Sequence, residues 1–300
     1  MLVTIYSAYV SPSDKVANDL ITPMQVGAAR ATVDLDMQRD DDGENISLEN
    51  PAFNELTALY WMWKNDTRSD YLGLSHYRRY FDFSRNAEHV VDPYGQIAEV
   101  RWSNGFFDEY GLNQATAQKI LSGYDAVLPL PLDVRNLGER SVESHYMHAP
   151  HHYGEHLRHA DRIIADIYPG DHRHWRAVMG GNSFYPTNLL VFERALFEEY
   201  CCWLFPLLFQ INAAIDISRL PPPGRRAVGF IAERLMGVFV ARTIERRGPR
   251  LRILELPRLY IRGALPSPAR RLGGSVWRAL PFPLRAAARP LAMQVSRLVR

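Results

Sequence analysis

The segment His76-Tyr77-Arg78-Arg79-Tyr80-Phe81 places an imidazole, two guanidinium groups and three aromatic rings in six consecutive positions. Two adjacent arginines can form forked hydrogen bonds to a diphosphate or a carboxylate. A histidine beside them can orient a substrate, move a proton or bind a metal. These groups follow Tyr71-Leu72-Gly73-Leu74, a short apolar run of strand composition. A strand that delivers such side chains at its C-terminal end suits the ligand-binding edge of an α/β sheet. A buried aromatic cluster with arginines paired to acids has the same composition, and residue types alone leave both readings open.

Arg226, Gly229, Phe230, Glu233 and Arg234 form a second cluster, just after the Pro/Gly run 221–224. A carboxylate such as Glu233 near a helix start can deprotonate a hydroxyl group, and an exposed Glu-Arg helix surface is the competing reading. His145, His148, His151, His152 and His156 crowd a third segment. On a regular helix His148 and His152 share a face, as do His152 and His156. Zinc binding is one reading of that spacing, a solvated helix or an acceptor-binding surface another, and no HExxH motif is present. Asp171-His172-Arg173-His174 reads as a surface turn. Asp34-Leu35-Asp36 is a literal match to the Asp-x-Asp that holds a divalent cation on a diphosphate. No apolar run of strand length precedes it, so it is read as a decoy. No metal ligands are assigned, the cofactor is left unknown, and a divalent metal stays open. Cationic groups at the strand end point instead to direct neutralisation of an anionic leaving group. GxGxxG, GxxxxGK[ST] and GxSxG are all absent, which argues against dinucleotide-binding, P-loop and α/β-hydrolase chemistry.

The elements that must position these groups alternate between strand and helix. Leu2 to Tyr9 reads as a first strand. Residues 34–50 read as an acidic loop, and Asn50-Pro51 as the capped start of a helix running to Asn65. In that helix Leu56, Leu59, Tyr60 and Trp63 keep the helical period. A strand over 70–74 follows. Residues 82–110 read as irregular, 115–121 as a helix, and Tyr124 to Pro129 as a buried strand. Residues 141–167 read as a helix stopped at Tyr168-Pro169-Gly170. A strand over 183–192, helices over 194–215 and 225–246, and a late strand over 251–256 complete the pattern. Such alternation predicts an α/β fold, a sheet with helices on its faces.

The 300 residues are 47% hydrophobic, ample for a large core. A net charge of +2 gives no reason to expect nucleic acid as a partner. Two adjacent cysteines, Cys201 and Cys202, supply no disulfide framework, which with the strand-like N-terminus predicts a cytoplasmic protein. From Pro257 onward there are nine arginines and no acid. Residues 257–300 are therefore expected to form a basic amphipathic tail suited to an anionic membrane surface, which would make the protein peripheral to the membrane.

In order and spacing, the stretches Pro23–Ala28, Asp42–Ser47, Asn54–Asn65, Asp70–Phe81, Tyr124–Pro129, Asn188–Leu190 and Arg226–Leu235 resemble the family catalogued as DUF4422. The resemblance spans about residues 2–245. It departs from the family pattern at Tyr9-Val10-Ser11-Pro12, where a His-Lys usually stands, and at Leu189-Leu190. It implies a GT-A-like domain over 1–256 with a mixed, mainly parallel sheet, found in bacterial capsule, exopolysaccharide and O-antigen synthesis. The implied activity moves a sugar, with galactofuranose the first choice, from a nucleotide donor (a UDP-sugar favoured) to a glycan or lipid-linked acceptor, inverting the anomeric centre. On this reading Glu233 is the base, with His76 and Asp125 as further catalytic candidates. Asn54, Glu55, Thr57, Tyr77, Arg78, Arg79, Asn188 and Arg226 would bind substrate. A non-catalytic sugar-nucleotide-binding or scaffolding protein is the alternative.

Overall fold

The computed structural model describes residues 1–13, 15–103 and 105–261, with Glu99 described by its backbone alone. The chain opens with strands β1 (Val3–Tyr9), β2 (Ile21–Gln25) and β3 (Gln38–Arg39), then helices α1 (Asn50–Phe53) and α2 (Leu56–Asn65). Strands β4 (Tyr71–His76), β5 (Arg79–Phe81) and β6 (Gln96–Val100) lead to α3 (Phe106–Glu109), α4 (Gln114–Leu121), β7 (Ala126–Pro129) and β8 (Leu132–Asp133). Helices α5 (Val142–His148), α6 (Gly154–Ile167) and α7 (Pro169–Gly180) precede β9 (Ser183–Phe184) and β10 (Leu190–Glu193). Two long helices, α8 (Arg194–Ala214) and α9 (Ala227–Arg247), and strands β11 (Ile253–Leu256) and β12 (Arg258–Ile261) complete the described chain.

The sheet has the main order β11-β7-β10-β4-β1-β2-β3, with β5, β12 and β6 extending from β4. Strands β1, β2, β3 and β4 run parallel, β10 runs antiparallel to both β4 and β7, and β11 is parallel to β7. This is the α/β sheet that the alternating sequence pattern predicts, mixed and mainly parallel as the family resemblance implies. The period-2 alternation of each strand divides its side chains between two cores. Tyr6, Ala8, Leu72, Leu74, Leu128 and Phe192 face the larger one, packed with α8 and α9 residues. Val3, Ile5, Tyr71, Val127 and Val191 face the other, packed with residues of α3 and α4. At the crossing point Gly73 is obligatory: a Cβ there would lie 2.9 Å from both Ile5 Cγ1 and Val191 Cγ2.

The chain builds β1, β2 and β3 in one direction and then returns to the other side of β1 with β4. In open α/β sheets the ligand crevice lies outside the C-terminal strand ends at such a reversal, here those of β1 and β4. His76 closes β4 opposite Ala8 of β1, at the lip of the crevice.

Several elements differ from expectation. The helix expected over 50–65 is two helices, because Asn54 has φ 52° and ψ −127°. The break lets α1 approach α9 closely; a Cβ on Gly229 would sit 2.6 Å from Asn54 Nδ2. Helix α6 stops at Ile167 as expected, but Pro169 also starts a new helix. It opens α7 at a position where its missing N–H costs nothing, so Asp171 to His174 are helical. The Pro/Gly run 221–224 enters a 3-10 turn over 222–226. Residues 82–110, expected to be irregular, contain β6 and α3. The sequence boundary at Leu256 falls inside the sheet, since Arg258–Ile261 pairs with β5 and β6. The rest of the expected basic tail lies outside the described residues. Among the described residues no helix is long and apolar enough to cross a membrane.

Candidate active site

Four segments bring side chains to the lip of this crevice: the end of β4 with the turn into β5, the junction of α1 and α2, the turn before β10, and the start of α9. Glu55 lies between them. Its Oε1 accepts a 2.7 Å hydrogen bond from Asn188 Nδ2 and lies 3.8 Å from His76 Nε2, while its Oε2 is 4.0 Å from an Arg226 nitrogen. Asn188 Nδ2 also donates to the Gly229 carbonyl at 3.2 Å, and Arg226 Nε donates to Asn54 Oδ1 at 3.1 Å. Asn54, Glu55, His76, Asn188 and Arg226, distant in sequence, therefore form one connected polar cluster.

Thr187 and Asn188 both adopt left-handed backbone, with φ 75° and 52°. Two consecutive non-glycine residues in that region are strained, and such strain persists where surrounding contacts hold it. Here Thr187 is tied to the late helix: its N–H donates to Glu233 Oε1 at 2.8 Å. Glu233 Oε2 accepts from Arg234 Nη1 at 2.8 Å. Arg234 is only 1% exposed. Its guanidinium lies over the Phe184 and Tyr146 rings, at 4.3 and 5.2 Å, and Nη2 meets His145 Nδ1 at 3.1 Å. Glu233 is thus a fixed carboxylate, each oxygen holding one hydrogen bond and keeping a further lone pair.

Burial governs the electrostatics. It pushes His76 down to about 4, with Arg79 and Arg226 adding to the shift against the opposing pull of Glu55. At neutral pH the ring is uncharged, and its buried Nε2 has no hydrogen-bond partner among the described residues. Burial raises Glu233 above the usual carboxylate range; Glu55 adds to this, while Arg234 and the Thr187 N–H oppose it. A carboxylate with raised basicity is the kind of group that general-base chemistry needs.

Arg78 and Tyr77 form the rim. Arg78 is exposed, lies 4.6 Å over the Tyr77 ring and donates to the Tyr77 hydroxyl. Tyr77 packs at 5.7 Å against Tyr9 at the end of β1. Arg79, in β5, lies 5.5 Å over the ring of Tyr260. No ion pair is formed by Arg78 or Arg79 among the described residues.

Two expected site residues lie elsewhere. Thr57 is wholly buried, and its hydroxyl donates to Asp40 Oδ2 at 2.5 Å. Asp40 also accepts from the Gly27 and Ala28 amides and from Ser47 Oγ, so Thr57 braces the acidic loop rather than facing a substrate. Asp125 precedes β7, which runs parallel to β4 because both flank the antiparallel β10. It therefore sits at the opposite edge of the sheet, where its carboxylate accepts from the Arg252 backbone at 2.7 Å and pairs with the Arg252 side chain at 3.3 Å.

The histidine-rich segment does not form one face. Helix α5 ends at His148, His151 takes a left-handed turn at φ 64°, and α6 begins only at Gly154. His148 faces Glu139, His152 stacks on Phe230 at 4.0 Å, and His156 is buried. Among the described residues no three His, Cys, Asp or Glu side chains gather as metal ligands would. Asp36 of the Asp-x-Asp is fully exposed and pairs with Lys15 at 3.4 Å. Sequence reasoning missed the Thr187 peptide, named His145 only as a member of the histidine-rich segment and not as a partner of Arg234, and placed Arg258 in the tail. The adjacent Pro186-Thr187-Asn188 and Leu256-Pro257-Arg258 are the only local signals of special backbone there.

A family model described as "Domain of unknown function (DUF4422)" matches residues 4–244. No curated protein matches the chain. Among solved structures, an apo structure of the bifunctional glycosyltransferase WbbM is similar with a TM-score of 0.82 and 30% sequence identity. The match covers 87% of this chain and 45% of that one, so the chain spans about half the length of that protein.

Proposed function

The chain belongs to the DUF4422 family, and on that premise we propose that it is an inverting glycosyltransferase that uses a nucleotide-sugar donor. The observation that carries this reading is the pairing, at the switch-point crevice, of a fixed carboxylate of raised basicity with a cationic rim. Inversion in one step needs a base on the acceptor hydroxyl and a stabilised leaving diphosphate. Glu233 takes the proton as the acceptor oxygen attacks the anomeric carbon. The bond to the diphosphate oxygen breaks with its electron pair, and Arg78, Arg79 and Arg226 neutralise the developing charge. His76, neutral and oriented by Glu55, offers Nε2 as an acceptor to a sugar or acceptor hydroxyl. Asn54, Glu55 and Asn188 hold the pocket's shape, and Tyr77 lines its rim.

The likeness to a bifunctional glycosyltransferase supports transfer in general. We assign UDP-galactofuranose as the first donor to test, a hexosyl transfer, and a glycan or lipid-linked acceptor of capsule, exopolysaccharide or O-antigen synthesis. The arginine-rich residues after Pro257 would hold the protein at an anionic inner-membrane surface where such acceptors lie. The test is a panel of UDP-, GDP- and dTDP-sugars incubated with a membrane extract, reading nucleotide release and product linkage. Acceptor-dependent release from one donor supports the reading. Donor binding without release by the native chain favours a scaffolding protein.

A further inference from the structure

Arg258 is the most unusual side chain in the described structure outside the roles assigned above. It lies beyond the residues matched by the family model, on β12, paired with Phe81 of β5 and Gln96 of β6. The residue is only 4% exposed. One terminal nitrogen donates to the Tyr94 carbonyl, and Nε is buried with no hydrogen-bond partner. Among the described residues no carboxylate lies within ion-pair distance of it. A guanidinium removed from water without a counter-charge is costly, and here a second one makes matters worse. The like charge of Arg79, from the adjacent strand, acts directly on Arg258. Burial and that repulsion push Arg258 down to about 10, against a weaker pull from Glu233 and Asp92. Glu233 acts on Arg258 and Arg79 acts on His76, so the charges of β5 and β12 and of the candidate site influence one another.

A buried, incompletely bonded cation beside a second cation without an ion pair is an arrangement that an anion completes. Two forked guanidinium groups suit a planar or tetrahedral oxyanion with several oxygens. Neighbouring groups narrow the class further. Arg226, half exposed, adds a third guanidinium acting on His76, and Arg78 a fourth on the rim, against the two nearby carboxylates not bonded to an arginine at short range, Glu55 and Asp92. The local excess of positive charge suits a ligand carrying two or more negative charges rather than a single carboxylate.

We infer that Arg258, buried, and Arg79, partly exposed, form a clamp for a diphosphate, the group that leaves with the nucleotide in the transfer proposed above. The inference rests on that reading for the identity of the nucleotide, though not for the binding of the anion. It also gives the strand pair β5–β12 a purpose: it brings a residue from outside the family match under the influence of Arg79 and Glu233. The clamp works by ground-state binding of the donor and, more strongly, by holding the charge that appears on the diphosphate as the glycosidic bond breaks.

The test uses the full chain, its Arg258→Met, Arg258→Lys and Arg79→Met variants, and two probes, inorganic pyrophosphate and UDP. Binding is read by calorimetry and by the rise in Tm that follows selective binding to the native state. Wild type should bind both probes, with affinity falling as salt rises. Arg258→Met should lose at least tenfold in affinity for both and lose the Tm rise, while its Tm without anion equals or exceeds wild type, because an unpaired buried charge has gone. Arg258→Lys, which keeps a charge without the fork, should fall between. Wild-type affinity for pyrophosphate in Arg258→Met or, should that variant fail to fold, in Arg258→Lys and Arg79→Met would overturn the clamp, as would a wild type indifferent to pyrophosphate and UDP. Arg258-dependent pyrophosphate binding by a protein that transfers no sugar would leave the clamp standing and remove the transferase. Normal transfer with pyrophosphate binding indifferent to Arg258 would do the reverse.

Discussion

Replacing Glu233 by glutamine separates chemistry from architecture at the centre of the site. The wild-type carboxylate accepts from two donors, the Thr187 N–H at 2.8 Å and Arg234 Nη1 at 2.8 Å. A carboxamide of the same shape has one oxygen and one NH2, so it satisfies one of those donors and turns a donor against the other. An unpaired buried donor costs about 1–3 kcal/mol. Leaving the wholly buried Arg234 charge uncompensated raises the expected loss of stability towards about 3–5 kcal/mol. Loss of a general base slows transfer by about 10²–10⁴, or roughly 2.7–5.5 kcal/mol in the barrier. The two effects come apart in the double variant Glu233→Gln/Arg234→Met. Urea denaturation should show much of the stability restored, because the buried charge has gone with its partner. Donor turnover per folded molecule should stay at the level of Glu233→Gln alone. Turnover of folded Glu233→Gln within threefold of wild type would refute the argument and leave Glu233 as the counter-ion of Arg234.

Acid should weaken the fold well above the carboxylate range. His76 is held down to about 4, and His145 and His152 to about 3, all chiefly by burial. Between the ordinary histidine value of 6.5 and those values the unfolded chain binds more protons than the folded one. Stability therefore falls as pH drops, by up to about 1.4 kcal/mol per pH unit for each histidine, and Glu233, shifted the opposite way, offsets part of it. Urea titrations at pH 7, 6 and 5 should show this slope, and His145→Gln should flatten it by about one histidine's share; a flat profile in wild type contradicts the neutral buried rings. Gly229→Ala should cost about 1–3 kcal/mol and lower donor affinity, since its Cβ would press on Asn54 Nδ2 at 2.6 Å; unchanged Tm and affinity would show that α1 and α9 separate freely. Arg78→Ala should leave stability within about 0.5 kcal/mol, as its side chain is exposed, yet remove most transfer activity; normal turnover would take Arg78 out of the site.

Much of this protein is written in local sequence pattern. Apolar alternation in Val3–Tyr9 and the run Tyr71–Leu74 specify strands, and the three-to-four spacing through Leu56, Leu59, Tyr60 and Trp63 specifies a helix, because both patterns are local consequences of backbone geometry. The delivery of His76 and the arginines by a strand end was legible for the same reason. Which edge of the sheet each strand end reaches depends on pairings between distant strands. Asp125 and His76 both flank buried strands, yet β10 runs antiparallel between β4 and β7, so the start of β7 and the end of β4 lie on opposite edges. The position of Thr57, turned inward onto Asp40, and the burial of Arg258 on β12 beside β5 were also settled only in three dimensions. A side chain's partners across a sheet come from strand pairings between residues far apart along the chain, and no local period in the sequence carries that information.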